Sequence, residues 1–187
     1  TKPNDPFPFQ YSVHKWEFEE QKITLEDSKQ FLEFNSENMD RKYLDKLIID
    51  LGNDGPIFAH NASTEIKALS YLVKRKYCID LTDKIENIQS RIIDTAKLLR
   101  ENFYNVLMMG SYSLKDIIKI LPNASSYSSD NDQVGDGGDA MIKWFEYTNP
   151  NTTNKEKQKI RENLTNYCAK DTLNLYLIFK YFLESHK

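Results

Sequence analysis

The chain has 187 residues, of which 40% are hydrophobic and 28% charged, and its formal net charge at pH 7 is -3. This length and apolar content predict a single domain over residues 1–187 with a sizeable core, and they exclude a fibrous or disordered chain. The apolar runs are too short to cross a membrane. With this small negative net charge, the chain has no overall positive potential that would attract a nucleic acid duplex.

The two cysteines, Cys78 and Cys168, form neither a disulfide framework nor a zinc motif. Their small number favours a reducing compartment, and we expect the protein to be cytoplasmic. No targeting segment is visible in the opening residues. The chain begins with Thr1 instead of Met, so we expect it to be part of a longer protein.

The first predicted elements are two strands. Phe9, Tyr11 and Val13 alternate with polar residues, which is the period of a half-buried strand, and Ile23-Thr24-Leu25 is expected to pair with it. A helix with several possible N-caps between Asn35 and Asp40 follows and stops at Gly52.

The middle of the chain alternates strands with helices. A buried strand at 56–60 runs into a helix from about Ala62 to Arg75, capped by Asn61 or Ser63, and a second strand-to-helix change is predicted at 90–95. A short helix from Leu114 to Leu121 comes next. This order predicts a mixed α/β fold in which helices pack on a central sheet.

The residues from Pro122 to Asp139 are rich in Ser, Asn, Asp and Gly and are predicted to form a loop. Its aspartates do not make a calcium-binding EF-hand, because Val134 and Met141 stand where that loop needs oxygen ligands. A helix from Ala140 to Tyr147 is expected after it. Tyr112 and Tyr127, both on predicted loops, are candidates for stacking on a nucleotide base.

The last predicted helix carries the clearest chemical signal. Thr153 to Glu156 form a capping box, and an apolar stripe runs along one face of the residues that follow. Asp171 lies in the middle of this stripe, where burial of an unpaired carboxylate would cost on the order of several kcal/mol, so it must be hydrogen-bonded, matched by a cation or bound to a metal. Tyr167 lies one turn earlier on the same face.

A second acidic residue stands at a strand end. Glu65 falls in the first turn of the helix that follows the strand at 56–60, and ligands gather at this edge of open α/β sheets. A first-turn glutamate can also serve only to complement the helix dipole. His60, at the end of the strand, is interpreted as a structural histidine.

These segments resemble those of the DEDD-type 3′–5′ exonucleases. The residues from His60 to Glu65 look like their second motif, Tyr167 to Asp171 looks like the tyrosine form of their third motif, and Ile93-Asp94-Thr95 resembles the strand between the two. Over nearly the whole chain, the sequence is similar to an uncharacterised bacterial domain family of ribonuclease H-like fold. The segments at residues 8–11, 110–115, 137–140 and 167–168 carry this similarity.

The resemblance implies a ribonuclease H-like mixed sheet flanked by helices and a site for two Mg²⁺ or Mn²⁺ ions, spaced about 3.5–4 Å apart. It implies that Asp171 is a metal ligand, that Glu65 is a second ligand directly or through water, and that Tyr167 orients the attacking water. The implied partners are DNA or RNA, as single-stranded ends. Glu65 departs from the aspartate of the well-studied exonucleases.

The first motif of those enzymes, Asp-x-Glu on the first strand of the sheet, occurs nowhere in this sequence. We therefore expect the chain to lack that first strand and to be inactive alone, while a longer parent is a nuclease. The alternatives are a module on the same fold that binds nucleic acid or docks a protein without catalysis, and a purely structural domain. Fold resemblance does not separate them.

Overall fold

The computed structural model describes residues 7–20, 22–35, 37–121 and 134–184. Most of the predicted loop at 122–139, including Tyr127, lies outside these ranges. The described residues divide into two compact units. The first contains residues 7–9 and 37–120, and the second contains residues 10–35, 121 and 134–184. The single domain expected from the length remains a prediction.

The first unit alternates short strands with helices. Its elements in chain order are α1 (Met39–Leu51), β3 (Ile57–Ala59), α2 (Ser63–Leu72), α3 (Thr82–Arg91), β4 (Ile92–Asp94), α4 (Thr95–Asn102) and α5 (Leu114–Ile118), with 3-10 turns at Ile79–Leu81 and Val106–Met108. β3 and β4 pair in parallel, with Phe58 opposite Ile93. The core contains Leu44, Leu72, Ile85, Ile88 and Ile117, each at most 1% exposed.

The second unit is a hairpin covered by helices. Its elements are β1 (Gln10–Glu19), β2 (Lys22–Leu32), α6 (Gly137–Thr148) and α7 (Asn154–Glu184). β1 and β2 are antiparallel, with Glu19 opposite Lys22, and a bulge at Glu26 interrupts their register. The predicted pairing of the segment at 23–25 with the first strand is therefore confirmed.

α7 packs along the hairpin through both apolar and polar contacts. The rings of Trp16 and Phe179 lie 5.5 Å apart between their centroids. The hydroxyl of Thr172 lies 2.9 Å from that of Ser12 and 2.7 Å from Nδ1 of His14. The Trp144 indole of α6 donates to the carbonyl of Glu33 at 2.8 Å. These bonds join the two ends of the chain, more than 100 residues apart in sequence.

The mixed α/β class is confirmed, but the sheet differs from the prediction. Among the described residues, the strands form two separate two-stranded sheets, one in each unit, in place of one central sheet. β3 and β4 have only three residues each; α4 begins directly after β4, and three turn residues separate β3 from α2. Along the same ranges, no helix combines the length and the hydropathy needed to cross a bilayer.

Several local predictions are wrong. α2 is capped by neither Asn61 nor Ser63, because its N-cap is Ala62, which makes no side-chain bond. α3 occupies residues 82–91, which were not predicted to be helical and which overlap the start of the predicted strand at 90–95. α6 begins at Gly137, three residues before the predicted start, because the carboxylate of Asp136 accepts from the N–H groups of Gly138 and Asp139.

Candidate functional site

α7 presents Tyr167 and Asp171 on one face. The helix begins as predicted, because Thr153 and Glu156 bond reciprocally: the Thr153 N–H donates to the Glu156 carboxylate at 2.8 Å, and the Glu156 N–H lies 3.3 Å from the Thr153 hydroxyl. Ile160, Leu164, Leu175 and Ile178 of the predicted stripe are buried. Asp171 is half-buried among them, one turn after Tyr167.

Tyr167 and Asp171 interact directly. The phenol donates a hydrogen bond to the Asp171 carboxylate, which provides one of the partners that the sequence required for this acid. Burial, followed by the negative charge of Asp171, raises the pKa of Tyr167 well above its ordinary value of 10.0. The hydroxyl therefore stays protonated at neutral pH and, with its one proton donated to Asp171, can orient a bound water as an acceptor, but it cannot act as a base.

The Cys168 thiol, next to this pair, is also protonated at neutral pH. Burial, with a smaller contribution from Asp171, raises its pKa to about 12. A thiol in this state is a poor nucleophile, because nucleophilic attack needs the thiolate. Cys168 is therefore a packing residue beside the Tyr167–Asp171 pair.

Asn174 lies three residues after Asp171 and was not recognised from the sequence. It is 0% exposed, and neither atom of its side-chain amide has a hydrogen-bond partner among the described residues. A buried amide without partners costs roughly 1–3 kcal/mol per unsatisfied group. The signal in the sequence was available, because Asn174 interrupts the apolar face of α7 at helical spacing from Asp171.

Glu65 lies where the sequence predicted it, in the first turn of α2 just after β3. Much of the residue surface is exposed, yet enough protein atoms surround its carboxyl group that burial raises the pKa, and the nearby charge of Asp94 raises it further. Solvent moderates this shift. The site thus holds two acidic side chains that repel each other, an arrangement that a cation would relieve.

Asp94 has a structural role that was not predicted from the sequence. Its Oδ1 accepts from the N–H groups of Ala96 and Lys97, which caps α4, and from the N–H of Asn61 at 3.2 Å. One carboxylate therefore fixes both the start of α4 and the backbone that leads from β3 into α2. The position of Glu65 depends on this bond, since Asn61 lies four residues before it.

His60 has partners at both ring nitrogens. Nε2 donates to the carbonyl of Tyr112 at 2.8 Å, and Nδ1 lies 3.0 Å from the hydroxyl of Thr95. The structural interpretation of this histidine agrees with these contacts. It links the end of β3 to the start of α4 and to the segment before α5.

The side-chain oxygens of these residues are of the type that hard divalent cations prefer as ligands. Asp171 and Glu65 offer carboxylates, and Asn174 adds a buried amide oxygen with no partner in the described ranges. The number of donors is small, because no group of three or more His, Cys, Asp or Glu side chains among residues 7–20, 22–35, 37–121 and 134–184 could hold a metal.

These features define a mixed α/β protein with a hydroxyl–carboxylate pair on a long helix and an acidic helix start at the end of a parallel strand. Residues 1–113 match the family model described as Domain of unknown function (DUF2779). The match covers more than half of the chain, so the protein belongs to this family. His60, Glu65 and Asp94 lie in the matched part, and α7 lies beyond it. No curated protein and no solved structure matches the sequence significantly.

Proposed function

We propose that this protein is a divalent-metal-dependent 3′–5′ exonuclease-like domain of ribonuclease H-like fold that acts on single-stranded ends of DNA or RNA. The observation that carries the proposal is the hydrogen bond from Tyr167 to Asp171 on α7. A phenol that cannot ionise, held one turn from a carboxylate, suits the orientation of a water molecule beside a metal ligand.

Glu65 supports the proposal from the other unit. It stands at the carboxyl end of a parallel strand, with the like charge of Asp94 near it. Mg²⁺ or Mn²⁺ would be held by Asp171 and Glu65, the second directly or through water, and would supply charge for the attacking and leaving oxygens of a phosphodiester. The chain's own contribution is to hold these carboxylates and to position the water through Tyr167.

The chain by itself is expected to be inactive, because it contains no Asp-x-Glu. We expect activity to need a strand bearing the first acidic motif in addition to the two two-stranded sheets that the described residues form.

The test compares this chain with a version extended upstream of Thr1 by the residues that its gene encodes. We expect the extended protein to shorten a 5′-labelled single-stranded oligonucleotide in Mn²⁺. Asp171→Asn should lower the rate about 100-fold or more, because it removes charge stabilisation of several kcal/mol. Tyr167→Phe should lower it about 100-fold through loss of water positioning.

The matched control is Glu162→Gln, which neutralises an exposed carboxylate on the same helix and should leave the rate unchanged. Failure of the extended protein to degrade both DNA and RNA would rule out the exonuclease. Oligonucleotide binding that falls with salt but is indifferent to EDTA and to Asp171→Asn would instead indicate a non-catalytic binding module.

A further inference from the structure

The loop at residues 103–112, between α4 and α5, is closed on itself. The Tyr112 hydroxyl donates to the carbonyl of Phe103 at 2.8 Å, so the two ends of the loop are joined. Met108, at its centre, is only 1% exposed and anchors the loop to the first unit. The loop is therefore a defined projection of this unit.

The side chains around Met108 are apolar and face the solvent. Tyr104 is 69% exposed, Val106 72%, Leu107 66% and Met109 91%. Single exposed apolar residues are ordinary, but four within six residues is a local concentration that suggests a binding surface.

The loop is ordered by hydrogen bonds that hold these side chains outward. The Leu107 N–H donates to the side chain of Asn105 at 2.9 Å, and a 3-10 turn spans Val106–Met108. Met109 adopts a left-handed conformation with φ of 50°. Such a conformation costs a residue with a side chain on the order of 1–3 kcal/mol and is retained where the surroundings impose it.

The loop is tied to the segment that contains Glu65. The Tyr112 carbonyl accepts from Nε2 of His60 at 2.8 Å, and His60 lies five residues before Glu65. The guanidinium of Arg100, an exposed residue, lies 5.7 Å from the centre of the Tyr112 ring. Residues 95–120 hold four basic and two acidic side chains, a local charge of +2 in a chain of net charge -3.

We infer that the 103–112 loop binds the unpaired bases of a single-stranded nucleic acid, with Tyr104 and Met109 against the bases and Arg100 near the phosphates. The inference rests on the proposed function and names how its substrate is held. Bases stack on aromatic and apolar side chains without sequence preference, and a local positive charge attracts the backbone. A protein partner would use the apolar side chains but would gain little from the positive charge of Arg100.

The test measures binding of the full chain to a fluorescein-labelled oligothymidine of about 12 nucleotides by fluorescence anisotropy. EDTA is present, so that hydrolysis plays no part. Tyr104→Ala should weaken binding about fivefold or more, the effect of losing one stacked base. Met109→Gly should also weaken binding, yet its thermal stability should stay equal or rise, because glycine relieves the left-handed backbone.

The matched control is Ile49→Ser, which removes an apolar side chain that is 73% exposed on α1, and it should bind as the wild type does. Unchanged binding in both loop variants, or no binding by the wild type, would overturn the inference. Neither result bears on the proposed function, because that function is tested by oligonucleotide hydrolysis with the extended protein. Self-association that Met109→Gly abolishes in sedimentation experiments would also overturn it, by making the loop a contact between copies.

Discussion

Asp171 and Asn174 are polar residues that lie three residues apart on the apolar face of α7. They differ in whether the polar side chain has a hydrogen-bond partner. Asp171 is half-buried and accepts from the Tyr167 hydroxyl. Asn174 is fully buried, and its amide is without a partner among the described residues. Asp171 is therefore compatible with the fold as it stands, whereas Asn174 weakens it.

Replacement of Asn174 by leucine should stabilise the protein. Leucine has the same branched arrangement of side-chain heavy atoms and no polar atoms, so the change removes the unsatisfied amide and should raise the free energy of unfolding by about 1–3 kcal/mol. Denaturant unfolding followed by circular dichroism measures this change. Asn166→Leu, at an exposed position of the same helix, should stay within about 0.5 kcal/mol of the wild type. Destabilisation by Asn174→Leu would mean that the amide has a partner, such as a buried water.

At the scale of elements, side-chain caps explain which helix boundaries could be predicted. The capping box of α7 is complete in four consecutive residues, so it was visible in the sequence. α3 was missed because Ile85 and Ile88 are the apolar residues that it buries, which is too few for a clear period. The caps of α4 and α6 are aspartates in loops or strand ends. Acidic residues occur at such positions for many other reasons, so the sequence alone did not identify these two as caps.

Asp94 offers a test of how caps and charge act together. Asp94→Ala should lower the free energy of unfolding by about 1–2 kcal/mol, because the N–H groups of Ala96, Lys97 and Asn61 lose their acceptor. Asp94→Asn keeps an acceptor oxygen and should cost much less. Both changes remove a negative charge near Glu65, so the pKa of Glu65 should fall toward its ordinary value.

Thermal unfolding and an NMR titration of the Glu65 carboxyl carbon measure the two effects. Equal stability loss in Asp94→Ala and Asp94→Asn would mean that charge matters more than the cap. An unchanged pKa of Glu65 in both variants would mean that burial alone raises it.

The whole molecule consists of two units, which differ in how far apart in sequence their elements lie. The first unit is nearly continuous in sequence and has its own buried residues, such as Leu44, Leu72 and Ile85. The second is assembled from both ends, since the hairpin of β1 and β2 packs against α7, which begins more than 100 residues later. Its formation requires closure of a long loop, which costs chain entropy.

Residues 36–120 expressed alone should therefore fold. We expect a helical circular dichroism spectrum and a single cooperative thermal transition, because the segment contains the core of the first unit. Residues 134–184 alone should show weak helicity, since α7 would lack the hairpin that covers its apolar face. A disordered 36–120 fragment would contradict this and would support the single domain that the length predicts.

The sequence by itself determined the features that depend on neighbours along the chain. The alternation of Phe9, Tyr11 and Val13 indicated the first strand, Gly52 ended α1, and the capping box began α7. Tyr167 and Asp171 could be paired on one face because helical spacing is a local property.

Only the tertiary structure decided how many sheets form, which polar groups are buried and which apolar ones are exposed. The unsatisfied amide of Asn174, the bond from the Asn61 N–H to Asp94 and the exposure of the loop at 103–112 all depend on which residues distant in sequence lie nearby. Burial and pairing are properties of the folded surroundings, so no period or motif of the chain specifies them.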